Sequence, residues 1–356
     1  MTTELSNIKS SLTAPVAQAQ GATPRASFGT MIRRPETGAL IGTLGVFIFF
    51  TIFGGTKFLS AEGISTWLNV AGELGIIAVP VGLLMIAGEL DLSVGSVLAA
   101  GSMTLAITSG YWGLPIGVGV LLALMLGALV GFVNGVLVTR TKVPSFVVTL
   151  ATLFVVEGLT LGLSRVLTGT TSVSLSSDKL AKLLLGNLIQ GKFEVAIIWW
   201  IAVALVVNWV LHYTPWGNWI FAIGGDSESA RASGIPTSKV KIALYVASGV
   251  GASLVGVMET VLYNGAQVAN GQSFVFNSII AVVIGGVLLT GGYGSVFGVV
   301  LGTLTFAIVN QGIYFTSWNS DWASLILGVL LLAAVLMNNT FRRIALSYSP
   351  RSGKKG

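Results

Sequence analysis

The chain has 356 residues, of which 53% are hydrophobic and 9% charged, with 46 glycines and no cysteine. Soluble domains carry about 25% charged residues, so this composition cannot cover a water-facing surface and excludes an ordinary soluble fold. The lack of cysteine excludes disulfides and thiolate metal sites. A single histidine, His212, leaves no material for a histidine metal site or a catalytic triad. The net charge of +6 is read as a record of membrane topology, with no nucleic-acid partner implied.

Residues 1–36 are polar and end in Arg33–Arg34. They contain no apolar core, so they are expected to be a cytoplasmic tail rather than a secretory signal peptide. A spanning helix needs about 20 mostly apolar residues. That ruler places spans near 38–58, 68–88, 93–109, 115–138, 146–163, 195–212, 242–262, 278–290, 294–314 and 322–338. The expectation is an all-α polytopic transmembrane bundle of about ten spans, a membrane domain over 37–340 and a basic tail over 341–356. The apolar runs are continuous rather than alternating, which sets a β-barrel aside. With both termini cytoplasmic, only Lys57, Arg165, Lys179, Lys182 and Lys192 of the 19 basic residues fall outside. The positive-inside rule favours that orientation, and it requires an even number of spans.

The run 278–290 is the weakest span, because it is short and carries Gly285–Gly286 within and Gly291–Gly292 after it. Such segments either tilt or line polar cavities with exposed backbone. Two glycine ridges repeat every four residues, Gly127, Gly131, Gly135 and Gly294, Gly298, Gly302. Bare faces of this kind let neighbouring helices approach closely. The stretch 164–194 is the longest outside segment, and its Lys179–Leu185 part suits a short surface helix.

The cytoplasmic segment 213–241 contains Gly224-Gly225-Asp-Ser-Glu-Ser-Ala230-Arg231-Ala-Ser-Gly234-Ile235-Pro236. Asp226 or Ser227 can cap a short helix, Gly234 fits the left-handed position after it, and Pro236 forbids continuation. Thr237 is the expected N-cap of the next span. Two turns are unstable alone, so this helix needs something to pack on.

This block resembles the coupling segment of the ribose, xylose and arabinose type ABC-transporter permeases. Gly88-Glu89-Leu-Asp91-Leu-Ser93-Val-Gly95-Ser96 and Ile280–Gly286 with Gly291-Gly292-Tyr-Gly294-Ser295 are similar to two further blocks of that family, in the same order, from about residue 68 to 338. The resemblance implies a permease subunit of a bacterial inner-membrane importer for a small polar solute such as a monosaccharide. Its implied partners are cytoplasmic ABC ATPase subunits, an external solute-binding protein, a second permease chain and membrane lipid. Gly224, Gly225, Ala230, Arg231, Gly234 and Ile235 would then lie at or beside the ATPase contact. No phosphate-binding loop is present in the sequence, which suits a separate ATPase and equally suits a self-sufficient secondary carrier or channel. No catalytic set, cofactor site or metal site is expected. The stretch 266–278 departs from the family by carrying Phe, Val and Asn277 where sugar permeases often place an acidic and a small residue. Nucleoside and branched-chain amino acid importers therefore stay open as alternatives.

Ionisable groups inside a bilayer cost roughly 2.5–3.5 kcal/mol on insertion scales and normally face a bundle or a water-filled cavity. Glu73, Glu157 and Glu259 fall in expected spans, and Glu89 and Asp91 at a span junction. Asp91 with Ser93 has the look of a helix start. The pathway candidates are Glu73, Glu89, Asp91, Asn264, Gln267, Asn270 and Asn310, the neutral ones as partners for hydroxyl groups.

Overall fold

The computed structural model describes residues 35–333 apart from Lys142. Nearly all of the two expected tails, residues 334–338 of the last expected span, and Lys142 lie outside the described residues.

The described chain is an all-α bundle, with seven helices long and apolar enough to cross a membrane. These are α1 (Pro35–Phe58), α2 (Ala61–Ile86), α4 (Ile116–Thr141), α5 (Ser145–Thr168), α7 (Ala196–Tyr213), α10 (Thr237–Leu262) and α12 (Val296–Gly312), the last reaching spanning length with the 3-10 turn that carries it to Phe315. Between them lie shorter helices: α3 (Val94–Leu105), α6 (Lys179–Leu185), α8 (Pro215–Gly225), α9 (Ser227–Ala232) and α11 (Gln272–Ile284). A π-helical turn, Ala106–Tyr111, prolongs α3. Together they run for 94–111, about 27 Å at 1.5 Å per residue. Residues 323–333 form one more helical stretch, preceded by a 3-10 turn.

Local chemistry sets the ends. Ser60 caps α2 by accepting the Gly63 amide at 3.1 Å, and α5 ends on Gly169 at φ +77°. Pro215 opens α8, where its missing amide costs nothing. Depth in the bundle separates the long helices. The most apolar window of α2 is 83% buried, against 17% for those of α1 and α7. So α2 is a central post, while α1 and α7 offer apolar outer faces to lipid.

The glycine ridges mark the tightest packing. On α4, a Cβ at Gly127 would fall 2.4 Å from the Gly249 carbonyl oxygen, and one at Gly131 2.2 Å from that of Tyr245. Gly135 rests on Ile242 of the same helix, α10. On α12, Gly298 and Gly302 press against Ala281 of α11 and Gly285 just past its end, and Gly294 precedes α12 beside Val287 and Ile86. No side chain fits at such distances, so helix contact there is backbone to backbone.

Four short strands gather at one end of the bundle, with α6. β1 (Ser172–Ser174) pairs antiparallel with β4 (Gly265–Gln267), Ser172 opposite Gln267. β2 (Leu188–Ile189) pairs with β3 (Phe193–Glu194). This is called the α6 end below, and the opposite one the α9 end.

Two expectations move. The helix expected over 278–290 is α11, Gln272–Ile284. Gly286, at φ +87°, turns the chain out of it, and its polar start was invisible to a count of apolar residues. Thr237 does not cap α10. It is the first helical residue after Pro236, and its hydroxyl accepts the Arg231 Nε–H at 3.3 Å.

Candidate functional site

At the α9 end, α9 is a two-turn helix closed at both ends. The Asp226 carboxylate accepts the amides of Glu228 and Ser229, both at 2.9 Å. The Ser229 and Glu228 amides hold this carboxyl below the usual carboxylate range. At the other end Gly234 takes φ +85°. The Gly234 amide donates to Arg231 O and the Ile235 amide to Ala230 O, at 3.0 and 3.1 Å. That is the Schellman closure. Ala230 points into the bundle, while Arg231 and Gly234 are exposed and Ile235 is half-buried.

The base of α9 is held by glycines. A Cβ at Gly224 would lie 1.8 Å from the Ile86 carbonyl oxygen and 2.5 Å from the Gly292 nitrogen. The Gly292 amide donates to that same Ile86 oxygen at 2.8 Å. Gly88, at φ +82°, and Gly291, at φ +79°, complete the junction. The last residues of α8 are thereby wedged between the α2–α3 break and the α11–α12 break. Gly225, next door, meets nothing within 4 Å.

Beside this junction the Gly88–Ser96 block is tied in by a polar network. Lys241 donates to Glu89 at 2.6 Å, both side chains largely buried. Asp91 Oδ1 accepts the Ser93 amide and hydroxyl at 2.9 and 2.6 Å, and its Oδ2 accepts Ser248 at 2.8 Å. Asn134 donates to the Ser93 hydroxyl, and Tyr245 to Leu90 O. Glu89 and Asp91 are thus engaged with α10, and Ser93 with α4.

Toward the α6 end the helices leave a cavity of about 380 Å³. Glu73 of α2, Glu259 of α10, Asn310 of α12 and Asn277 of α11 line it, with Asn270 at the rim. Phe274 and Phe306 supply apolar walls. Tyr263, 62% exposed, and Ser273 mark its mouth. Glu73 also borders the narrow space beside Glu194. Glu259 and Glu194 are 7% and 9% exposed, and the Oε2 atom of each has no hydrogen-bond partner.

Of the residues singled out in the sequence, the cavity gathers Glu73, Glu259, Asn270 and Asn310. Asn264 and Gln267 lie outside its lining. Asn264, at φ +55°, accepts the Leu175 amide, and Gln267 sits in β4. Glu157 accepts the Gln272 side-chain amide at 2.7 Å. His212 lies in the last turn of α7. Sequence reasoning missed Asn277, Phe274, Phe306 and Glu194 as neighbours of this space. Asn277 and Glu194 signalled themselves only by polarity inside or next to an apolar run, and Phe274 and Phe306 carried no signal that sets them apart from other apolar residues. Among the described residues, no group of three or more acidic, histidine or cysteine residues is arranged to hold a metal ion.

Residues 63–335 match the family model described as branched-chain amino acid transport system / permease component. The chain is 29% identical to the fructose import permease protein FrcC of Rhizobium meliloti, across 86% of this chain and 85% of that protein. It is 32% identical to the ribose import permease protein RbsC of Escherichia coli (strain K12), across 80% and 87%. With RbsC of Bacillus subtilis the identity is 33%, across 83% and 91%. No solved structure matches the chain.

Proposed function

This chain belongs to the family of permease components of branched-chain amino acid transport systems, and on that premise we propose that it imports a monosaccharide with energy from a separate ATPase. The observation that carries the solute is the identity to ribose and fructose import permeases over four fifths or more of the chain. The family description names amino acids, but the relatives aligned over four fifths or more of the chain are sugar permeases. A cavity with three asparagines and two phenylalanines suits a sugar, whose hydroxyls need partners and whose C–H faces pack on rings.

The coupling role belongs to α9. A two-turn helix is unstable alone, yet this one is capped at both ends and wedged at its base, with Arg231 and Gly234 exposed. Such a helix suits the cleft of a cytoplasmic ABC ATPase, with Ala230 and Gly224 as its anchors to the bundle. Closure of the ATPase then reaches α2 and α12 through Ile86 and Gly292. This reading places both termini and the 213–241 segment in the cytoplasm, and the α6 end outside. There an external binding protein delivers the solute. It takes 37–340 as the permease domain, flanked by cytoplasmic tails, in a bacterial inner membrane, with a second permease chain alongside.

The test is uptake of labelled D-ribose and D-fructose into proteoliposomes that hold this chain with its ATPase and binding protein. Accumulation that needs both ATP and the binding protein supports the reading. Accumulation by the chain alone, without ATP, would replace it with a secondary carrier.

A further inference from the structure

Three carboxyl groups meet toward the α6 end: Glu73 and Glu259 on the cavity wall, and Glu194 beside Glu73. The two ion pairs among the described residues are Lys192 with Glu62 and Lys241 with Glu89, so none of the three is neutralised by a cation there. No Lys, Arg or His lines the cavity among the described residues. The Oε2 atoms of Glu259 and Glu194 are buried and unpartnered. A buried polar atom without a partner costs free energy that a bound ligand's donor can recover. The rest of the wall is uncharged: it includes the amides of Asn270, Asn277 and Asn310 and the rings of Phe274 and Phe306.

Carboxyl oxygens accept hydrogen bonds from hydroxyl groups, two at a time where the hydroxyls are vicinal. Ionised, or sharing protons among themselves, they also impose a negative potential on a narrow, low-dielectric space. We infer that this cavity is an anion-excluding vestibule: it admits uncharged polyhydroxylated solutes and rejects those bearing a phosphate or carboxylate. Glu73 and Glu259 are the residues that set this selectivity, and Glu194 reinforces them. The solute reading behind it rests on the importer proposal; the charge reading does not.

The chain has no cysteine, so one introduced thiol reports its surroundings directly. Asn277→Cys and Asn310→Cys place that thiol on the cavity wall, and Thr170→Cys in an exposed loop serves as reference. Rates of modification by a cationic and an anionic methanethiosulfonate are measured on the purified full chain in nanodiscs. Each ratio is normalised to that at Thr170→Cys. The expected preference for the cationic reagent at both cavity positions is at least about tenfold. It falls toward parity when Glu73→Gln and Glu259→Gln are added. Equal rates, a preference for the anion, or no reaction at either cavity position would overturn the inference. So would a preference that survives both glutamine substitutions. The unsubstituted carboxyl background decides the first three outcomes even if a glutamine variant folds poorly. Labelling needs neither ATP nor a partner, so a failure of the importer proposal shows separately, in the uptake assay.

Discussion

At the α9 end, Glu89 has Lys241, Asp91 has Ser93 and Ser248, and the backbone of Gly224 touches that of Ile86 and Gly292. At the α6 end, Glu259 and Glu194 each keep a carboxyl oxygen without a partner beside a cavity of about 380 Å³. One bundle therefore treats its buried acids in two ways. Paired, and packed backbone to backbone at Gly224, the first region can pass a displacement from α9 to α2 and α12 with little slack, since close-packed interiors transmit strain. The second keeps unsatisfied acceptors that a solute can use. The difference teaches that a buried carboxyl in a membrane protein is informative mainly through its partners.

The comparison breaks most sharply at Lys241. Lys241→Met leaves Glu89 buried without its cation and is expected to cost about 3 kcal/mol. The loss would be read as a lowered Tm in detergent, and Glu89→Gln added to it should restore part. Glu259→Gln, where no cation is lost, should cost far less, and an equal loss at both sites would erase the contrast. The glycine junction comes next. Gly224→Ala forces a methyl against Ile86 and Gly292 and should cost about 2 kcal/mol, again as a Tm shift. Gly225→Ala, with open space around it, should leave the Tm unchanged. The smallest effect concerns the α9 cap. The folded-state pKa of Asp226 is depressed, so its contribution is present above the unfolded carboxylate pKa and disappears as pH falls through the folded value. Amide exchange across 227–235 should therefore quicken at acid pH. Asp226→Ala should quicken it at neutral pH too, and an unchanged exchange rate in that variant would sink the cap assignment.

The α9 end was largely legible because its signals are local. Asp226, Gly234 and Pro236 lie within one short segment, and each acts through the backbone beside it. The glycine ridges were legible for the same reason, as a period along one helix. The cavity was not, since residues 73, 259, 277 and 310 come from separate elements and only the tertiary fold assembles them. Glu89 and Asp91 show where tertiary partners add to a local signal. In the sequence, Asp91 with Ser93 reads as a helix start, and both acids fall only secondarily with Glu73 along the pathway; Lys241 and Ser248 tie them to α10 near the α9 end. The expected 278–290 span slipped because counting apolar residues ignores Gly285–Gly286 as a stop. It also discounts Gln272 and Asn277, whose polarity answers to Glu157 and the cavity.

The central claim, that α9 is the seat of a separate ATPase, is tested most directly by purifying the chain from its native membranes in mild detergent and identifying what accompanies it by mass spectrometry. The account predicts that a phosphate-loop ATPase comes with the native chain and is lost with Arg231→Glu, while that variant stays in the membrane at normal abundance. A native chain that repeatedly emerged intact and alone, or an ATPase retained equally by the variant, would contradict it.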